Sequence, residues 1–238
     1  MAVGRHPSRR SESPARVAGP RQSAAGIGHA GMVLSVTGLG RYIALEGAEA
    51  CGKSTHARLL AADLGAVLTR ETGGTRIGSA IREILHDNAN SELVDKAEVL
   101  LIAADRAQHL AEVVRPALTA GSHVVSDRSA YSSLAYQGYG RGVALDVVRS
   151  TSDWALDGMW PELVVLIDVP ADVLAERLSD RDLDRFELAD DAFHARVRAG
   201  FAEMAAADPQ RWLIIDGTGA QPDVAAKIRE TVRKRLSI

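Results

Sequence analysis

A five-stranded parallel α/β sheet with helices on both faces is the fold class the sequence predicts, and three observations predict it. Short runs such as Tyr42–Glu46 and Leu163–Val169 are apolar at successive positions, which fits strands buried on both faces. Stretches with helical spacing of apolar residues separate these runs, the pattern of strand–helix–strand crossovers. Between the first strand and the first helix lies a glycine-punctuated turn that ends in Gly52-Lys53-Ser54.

The elements follow in order. Tyr42–Glu46 reads as the first strand, and Ala57, Leu59, Leu60 and Leu64 mark a helix over 55–64. Ala66–Thr69 reads as a second strand that ends before Gly73-Gly74, followed by helices over 76–86 and 92–119, the latter long and rich in Ala and Leu. His123–Ser126 is a third strand, Leu163–Val169 a fourth and Trp212–Asp216 a fifth. Helices are expected over Asp172–Arg185, Asp191–Ala207 and Val224–Leu236.

The chain has 238 residues, 46% of them hydrophobic and 25% charged, enough to fill one α/β domain core. It contains no run of 18 apolar residues, which excludes a membrane-spanning helix. A single cysteine, Cys51, excludes an internal disulfide framework and a cysteine-rich zinc site. A formal charge of −3 argues against bulk binding of nucleic acid. A soluble, cytoplasmic protein with no membrane or nucleic-acid partner is the expectation. Residues 1–31 carry five arginines against one glutamate and one sizeable aliphatic residue, Ile27. Residues 1–38 are therefore expected as a disordered basic extension, or as sequence upstream of a start at Met32, and 39–238 as the folded domain.

Gly47-Ala48-Glu49-Ala50-Cys51-Gly52-Lys53-Ser54 fits the phosphate-binding pattern G-x-x-x-x-G-K-[ST] in the context that makes it informative, after a strand and before a helix. Loop and helix-terminal N–H groups can wrap a phosphate chain, Lys53 can reach the outer phosphates, and the Ser54 hydroxyl can ligate Mg²⁺. The pattern specifies a nucleoside triphosphate site extending to Thr55. Cys51 reads as a small residue that the tight loop tolerates.

Three further clusters point past simple triphosphate binding. They are Thr69–Thr75 with Arg70, Ala103–His109 with Arg106, and Asp127-Arg128 followed by Ser132–Gly138. In an open parallel sheet, ligands bind beyond the carboxyl ends of the strands, so Arg70, Arg106 and Arg128 are placed to meet on a second anion facing the triphosphate.

These stretches, with Pro161–Arg177 and Arg185-Phe186-Glu187, resemble the thymidylate kinase family of P-loop nucleoside monophosphate kinases over roughly residues 41–236. The resemblance implies the three-layer P-loop NTPase fold with a mobile lid, and Mg²⁺-dependent transfer of the γ-phosphoryl group of ATP to dTMP. By position it makes Glu49 the loop carboxylate facing the acceptor sugar and the Mg²⁺ environment, and groups Asp127 with Ser54 and Glu49 at the metal. Arg70 and Arg128 would hold the acceptor phosphate, Arg106 would lie beside the base and phosphate, Ile102 would lie at the base, and Tyr136 would crowd the sugar 2′ position. Ser132, Ser133 and Gln137 fall at the acceptor site too. The family's decisive arginine comes from the P-loop or from the lid. This P-loop has no base, whereas Arg177, Arg181 and Arg185 are spaced by four, one helical face. A homodimer is also implied, and the 92–119 helix is a candidate for its apolar face.

The match departs from the family at the acceptor side. Ile102 stands where a phenylalanine usually stacks on thymine, Ser129 where tyrosine or histidine follows Asp-Arg, and Thr72 where proline is usual; in the loop, Ala50 stands where glycine is common. Two other readings therefore stay open: a kinase of another (deoxy)nucleoside monophosphate, and an ATP-binding regulatory module without transfer. The seven histidines lack metal-ligand spacing. Trp154, Trp160 and Trp212 are expected as packing residues, and Asp216–Gly219 as a turn near the adenine site.

Overall fold

The computed structural model describes residues 40–179 and 182–238. The expected N-terminal extension and Arg181 lie outside the described residues.

β1 (Tyr42–Glu46), β2 (Val67–Arg70), β3 (Val124–Asp127), β4 (Leu163–Asp168) and β5 (Trp212–Asp216) form one sheet in the order β2-β3-β1-β4-β5, every pair parallel. Because side chains alternate across a strand, one residue set faces each layer of helices. Ile43, Leu45, Val165 and Ile167 pack with Ala57 and Leu60 of α1 (Lys53–Leu64) and Ile228 and Val232 of α9 (Gln221–Leu236). Val164, Leu166 and Trp212 pack on the other side with Leu134 and with Phe193, Val197 and Phe201 of α8 (Asp191–Ala207). Each such buried aliphatic or aromatic side chain contributes roughly 1.5–3 kcal/mol relative to exposure.

α2 (Arg76–His86) and α3 (Asp95–His109) follow β2. The expected 92–119 helix begins at Asp95 and continues through a π-helical stretch, Leu110–Val114, into α4 (Arg115–Thr119). After β3 come α5 (Ala130–Ser133), a second π-helical stretch over Leu134–Gly140, and α6 (Leu145–Leu156). The sequence pattern did not announce these three. Small and polar residues dominate 130–140, and α6 exposes part of its apolar content. Trp154 is 82% exposed on α6, a correction to its expected packing role. Trp160 and Trp212 do pack, both against Tyr131 at 4.9 Å between ring centroids.

α7 (Ala171–Leu178) stops well short of the Arg185 expected as its end. The described part of the following segment, 182–190, is turn and loop, so Arg177 and Arg185 do not share a helical face. Three charges of each sign crowd 177–185, and the stretch offers no apolar stripe to hold a helix against the domain.

The register aligns the carboxyl edge. Leu45 pairs with Asp127, and Arg70 pairs with Asp127 from the other side. The P-loop, the 71–75 turn and Arg128 thus leave the sheet along one rim.

Candidate active site

The P-loop leaves β1 at Gly47 and enters α1 at Lys53. A Cβ at Gly47, whose φ is 147°, would lie 2.7 Å from both Cys51 Sγ and Ile167 O, so only glycine lets the loop pass this close to β4. Gly52 caps α1 with a left-handed φ of 95°. Glu49, Ala50, Lys53, Ser54 and Thr55 line a cavity of about 460 Å³. Lys53 Nζ donates to Ala48 O at 2.9 Å and lies 3.5 Å from Glu49 Oε2. Cys51 is buried in the core between loop and sheet.

Arg70, Arg106 and Arg128 all line the same cavity. Arg128 sits in the left-handed region at φ 73°, a strained backbone for a side-chain-bearing residue, and its contacts over-determine it. Its guanidinium donates to Ser132 Oγ (3.0 Å), Gly47 O (3.3 Å), Tyr136 OH (3.1 Å) and the Glu49 carboxylate, and lies 4.9 Å from the Tyr136 ring centroid. Tyr136 OH also donates to Glu49 Oε1 at 3.1 Å. Burial alone would raise the Glu49 pKa, but Arg128 and Lys53 overcome it and hold the carboxyl far below the usual range. Behind this pair, Glu46 is fully buried and accepts from Ser129 Oγ (2.7 Å) and Ser132 Oγ (2.6 Å). Its pKa rises through burial, with Arg128 and the two hydroxyls opposing. Ser132 therefore bridges Glu46 to Arg128. Ser129, the residue that departs from the family pattern, anchors Glu46 and caps α5 through Tyr131 N.

Arg106 is buried and held on three sides. Nε donates to Glu71 Oε2 (2.9 Å), Nη2 to Ser133 Oγ (2.8 Å) and Nη1 to Ser152 Oγ (3.1 Å). Glu71 also faces His109 Nδ1 at 3.3 Å, and His109 Nε2 reaches Thr69 Oγ1 at 2.6 Å. Burial pushes the Glu71 pKa up; Arg106 and His109 more than reverse this, leaving it below the ordinary value.

Ile102, Gln137, Leu85 and Phe186 also line the cavity. Gln137 Nε2 donates to Glu98 Oε1 at 2.8 Å. Glu98 also takes Arg141 (Nη2 at 3.4 Å) and Arg185, which donates besides to Leu85 O at 3.0 Å. Arg185 is thereby tied to the α2–α3 side and does not line the cavity. Arg177 does, spanning Ala50 O of the P-loop and Gly217 O of the β5–α9 turn, each at 3.3 Å. The 182–190 loop is pinned to α2 by His86 Nδ1 on Asp184 Oδ2 (2.7 Å) and by the edge-to-face pair of His86 and Phe186.

The residues present suit a magnesium ion. Asp127 Oδ1 is buried without a hydrogen-bond partner at the cavity wall that also carries Ser54. Among the described residues, no three His, Cys, Asp or Glu side chains cluster as a metal cage. A donor set of one carboxylate and one hydroxyl matches an ion completed by water and substrate phosphate. Glu49 is engaged by Arg128, Lys53 and Tyr136 instead.

Sequence reasoning missed Arg82, Glu98, Glu71 and His109. Arg82 lines the cavity and donates to Thr72 O at 3.2 Å; burial lowers its pKa, and the Arg70 and Arg128 charges add to that. The spacing Glu98, Ile102, Arg106 at every fourth position put Glu98 on the same helical stripe, and this was the available signal.

Residues 45–228 match the family model described as thymidylate kinase. A thymidylate kinase of Trichlorobacter lovleyi is 44% identical over 209 residues, covering 83% of this chain and 99% of that protein. That of Nitratidesulfovibrio vulgaris is 42% identical over 209 residues (82% and 97%), and that of Deinococcus radiodurans 44% over 202 (82% and 98%).

Proposed function

The chain belongs to the thymidylate kinase family and is a dTMP kinase, and we propose that the cavity described above is where ATP and dTMP meet. An acceptor-phosphate oxygen of dTMP attacks the γ-phosphorus of ATP, the bond to the β-phosphate oxygen breaks, and dTDP and ADP leave. The observation that carries this assignment of sites is that Lys53 lines the same cavity as Arg70, Arg106 and Arg128, with Glu49 between Lys53 and Arg128. Two anionic chains that would repel each other in water are both neutralised there.

In this reading the loop from Gly47 to Thr55 wraps the ATP phosphates with backbone N–H groups, and Lys53 exchanges its Ala48 carbonyl for the β- and γ-phosphates. Ser54 and Asp127 would hold Mg²⁺, which when bound would neutralise donor-phosphate charge. Arg70 and Arg128 align the acceptor phosphate. Glu49 orients Arg128 and borders the sugar, and the Tyr136 ring narrows the 2′ position. Arg177, beside the P-loop, is the lid arginine best placed to meet the transferred group; Arg185 serves at the base end, through Glu98. Such a site accelerates transfer mainly by alignment and charge stabilisation.

We also propose a homodimer. α3 packs between α2 and α6, and Ile77, Ile84, Leu100, Val147 and Trp154 on these three helices are exposed apolar side chains. Most of the apolar content expected to face a partner on 92–119 is core: Val99, Ile102, Leu110, Val114 and Leu118 are buried. The cytoplasm is the proposed compartment.

The test is ADP release from Mg·ATP with a panel of nucleoside monophosphates, alongside Lys53→Ala. Turnover with dTMP above all others, reduced about 10²-fold or more in the variant, is expected. Preference for another acceptor would overturn the dTMP assignment, and unchanged turnover in the variant would remove Lys53 from the chemistry.

A further inference from the structure

Glu98 is 0% exposed, yet it belongs to no part of the phosphate machinery. It lies about two helical turns before Arg106 on α3, against the cavity-lining Gln137. Every group the structure aims at it is a donor: Gln137 Nε2 at 2.8 Å, Arg141 Nε and Nη2 at 3.4 Å, and the Arg185 guanidinium. A carboxylate facing two guanidinium groups offers only lone pairs, so it dictates which end of the Gln137 amide turns towards it. The NH₂ must point to Glu98. The opposite arrangement would set the amide oxygen against the carboxylate oxygens in a dry interior. Gln137 is 2% exposed and lines the cavity, and Glu98 is its side chain's sole hydrogen-bond partner among the described residues. Its carbonyl oxygen is thereby left as an acceptor on the cavity side.

We propose that Glu98 is a positioning residue for base selection: by locking the Gln137 amide, it presents a fixed acceptor that admits a pyrimidine bearing an N3–H and rejects one with a bare ring nitrogen. The proposal rests on the dTMP kinase reading and deepens it. Arg106 supplies the second half of the code, since a guanidinium only donates. Thymine and uracil offer N3–H as donor and O4 as acceptor, which complement the carbonyl and the cation. Cytosine offers the reverse at both positions, a ring lone pair and an exocyclic NH₂. It would meet oxygen with a lone pair and cation with a donor. Discrimination then comes from repulsion built into the site as well as from attraction.

The decisive variant is Glu98→Gln. Its new amide donates as readily as it accepts, so Gln137 is free to turn its NH₂ to the cavity. The quantity to measure is the ratio of kcat/KM for dTMP to that for dCMP, with dUMP and N3-methyl-dTMP as further acceptors. In the unmodified protein dTMP and dUMP turn over far better than dCMP, and N3-methyl-dTMP, which has no N3–H, is a poor acceptor. In Glu98→Gln the dTMP:dCMP ratio falls roughly 10- to 100-fold. In a Gln137→Met background, adding Glu98→Gln changes the ratio no further. A parallel loss of both activities at constant ratio would make Glu98 merely an ion-pair partner of Arg141 and Arg185 and overturn the proposal. If the variant does not fold, the unmodified protein still tests the acceptor on which the proposal depends, because ready turnover of N3-methyl-dTMP overturns it. Absence of dTMP turnover in the unmodified protein would instead strike the underlying function.

Discussion

Removing the Glu71 charge tests how the base-side arginine is held. In Glu71→Gln, Arg106 stays buried with Ser133 and Ser152 but loses its one ion-pair partner among the described residues, 2.9 Å away. At that separation and an effective dielectric near 20, the lost attraction is about 6 kcal/mol. The glutamine oxygen returns about 1.5–3 kcal/mol as a hydrogen bond to a charged donor, and a neutral side chain also avoids part of the carboxylate's own desolvation cost. The net loss is about 2–4 kcal/mol, which for a domain of this size lowers Tm by roughly 5–15 °C. Thermal unfolding followed by circular dichroism at pH 7 reads it. The pH dependence carries its own sign. The Glu71 pKa in the folded protein lies below its ordinary value, so its stabilisation is complete above the unfolded pKa of about 4.3 and is lost as pH falls through the folded value. The gap between parent and variant therefore narrows below about pH 4. Steady-state kinetics should show a raised KM for dTMP with a smaller change in the KM for ATP. A variant with unchanged Tm and unchanged KM for dTMP would refute the reasoning, because Arg106 would then need no anionic support.

Three further perturbations follow from single contacts. Gly78→Ala brings a Cβ within 2.2 Å of Asp105 Oδ1, which also accepts from Gly73 N, and should cost about 1–3 kcal/mol of stability, read as a lower urea midpoint. Asp127→Asn keeps the shape of the site and removes its unpartnered carboxylate oxygen; the Mg²⁺ concentration for half-maximal turnover should rise about 10-fold or more, while a merely structural role would leave it unmoved. Trp154→Glu on the exposed face of α6 should leave Tm within about 1 °C but shift the sedimentation profile to monomer, and an unchanged profile would remove this face from the dimer.

The sheet was legible because β1 and β4 are short runs that are apolar and buried at successive positions, and β1 and β5 carry the predicted ends. The P-loop was legible because its glycines answer a steric demand, visible at Gly47, that no other residue meets. What stayed hidden has a common physical cause. α6 turns exposed apolar residues such as Val147 and Trp154 to one side, so its composition does not announce a buried stripe. The 177–185 spacing imitates a helical face, but spacing reports a helix only when a packed surface selects it, and α7 ends at Leu178. The positions of Arg70, Arg106 and Arg128 at one cavity could be anticipated because all three lie on elements that end or pass near the carboxyl rim. Their supports could not. Glu71, His109 and Glu98 are charged or polar residues on helices and turns, indistinguishable in sequence from solvated ones until the partners 35 to 87 positions away are known.

Those supports also explain how so many cations share one cavity. Lys53 leans on Glu49 and Ala48 O, Arg128 on Glu49, Arg106 on Glu71, and Arg177 on two carbonyls. The pairs are not equivalent. Glu71 is enclosed with Arg106 and His109, so it stays as a fixed counter-charge that keeps a buried guanidinium oriented. Glu49 lies at the cavity wall between Lys53 and Arg128, where, in the proposed reading, arriving phosphates would compete for both partners. A carboxylate whose pKa is held that low remains ionised throughout. It therefore repels a phosphate placed too near it while steering the two cations it releases. Replacing Glu49 with Gln should tighten the binding of phosphate-bearing nucleotides at the expense of turnover, because the cations would then meet ground-state charge unopposed and lose the geometry that favours the transferring group. Equal losses of nucleotide affinity and kcat would instead assign Glu49 to simple support of Arg128.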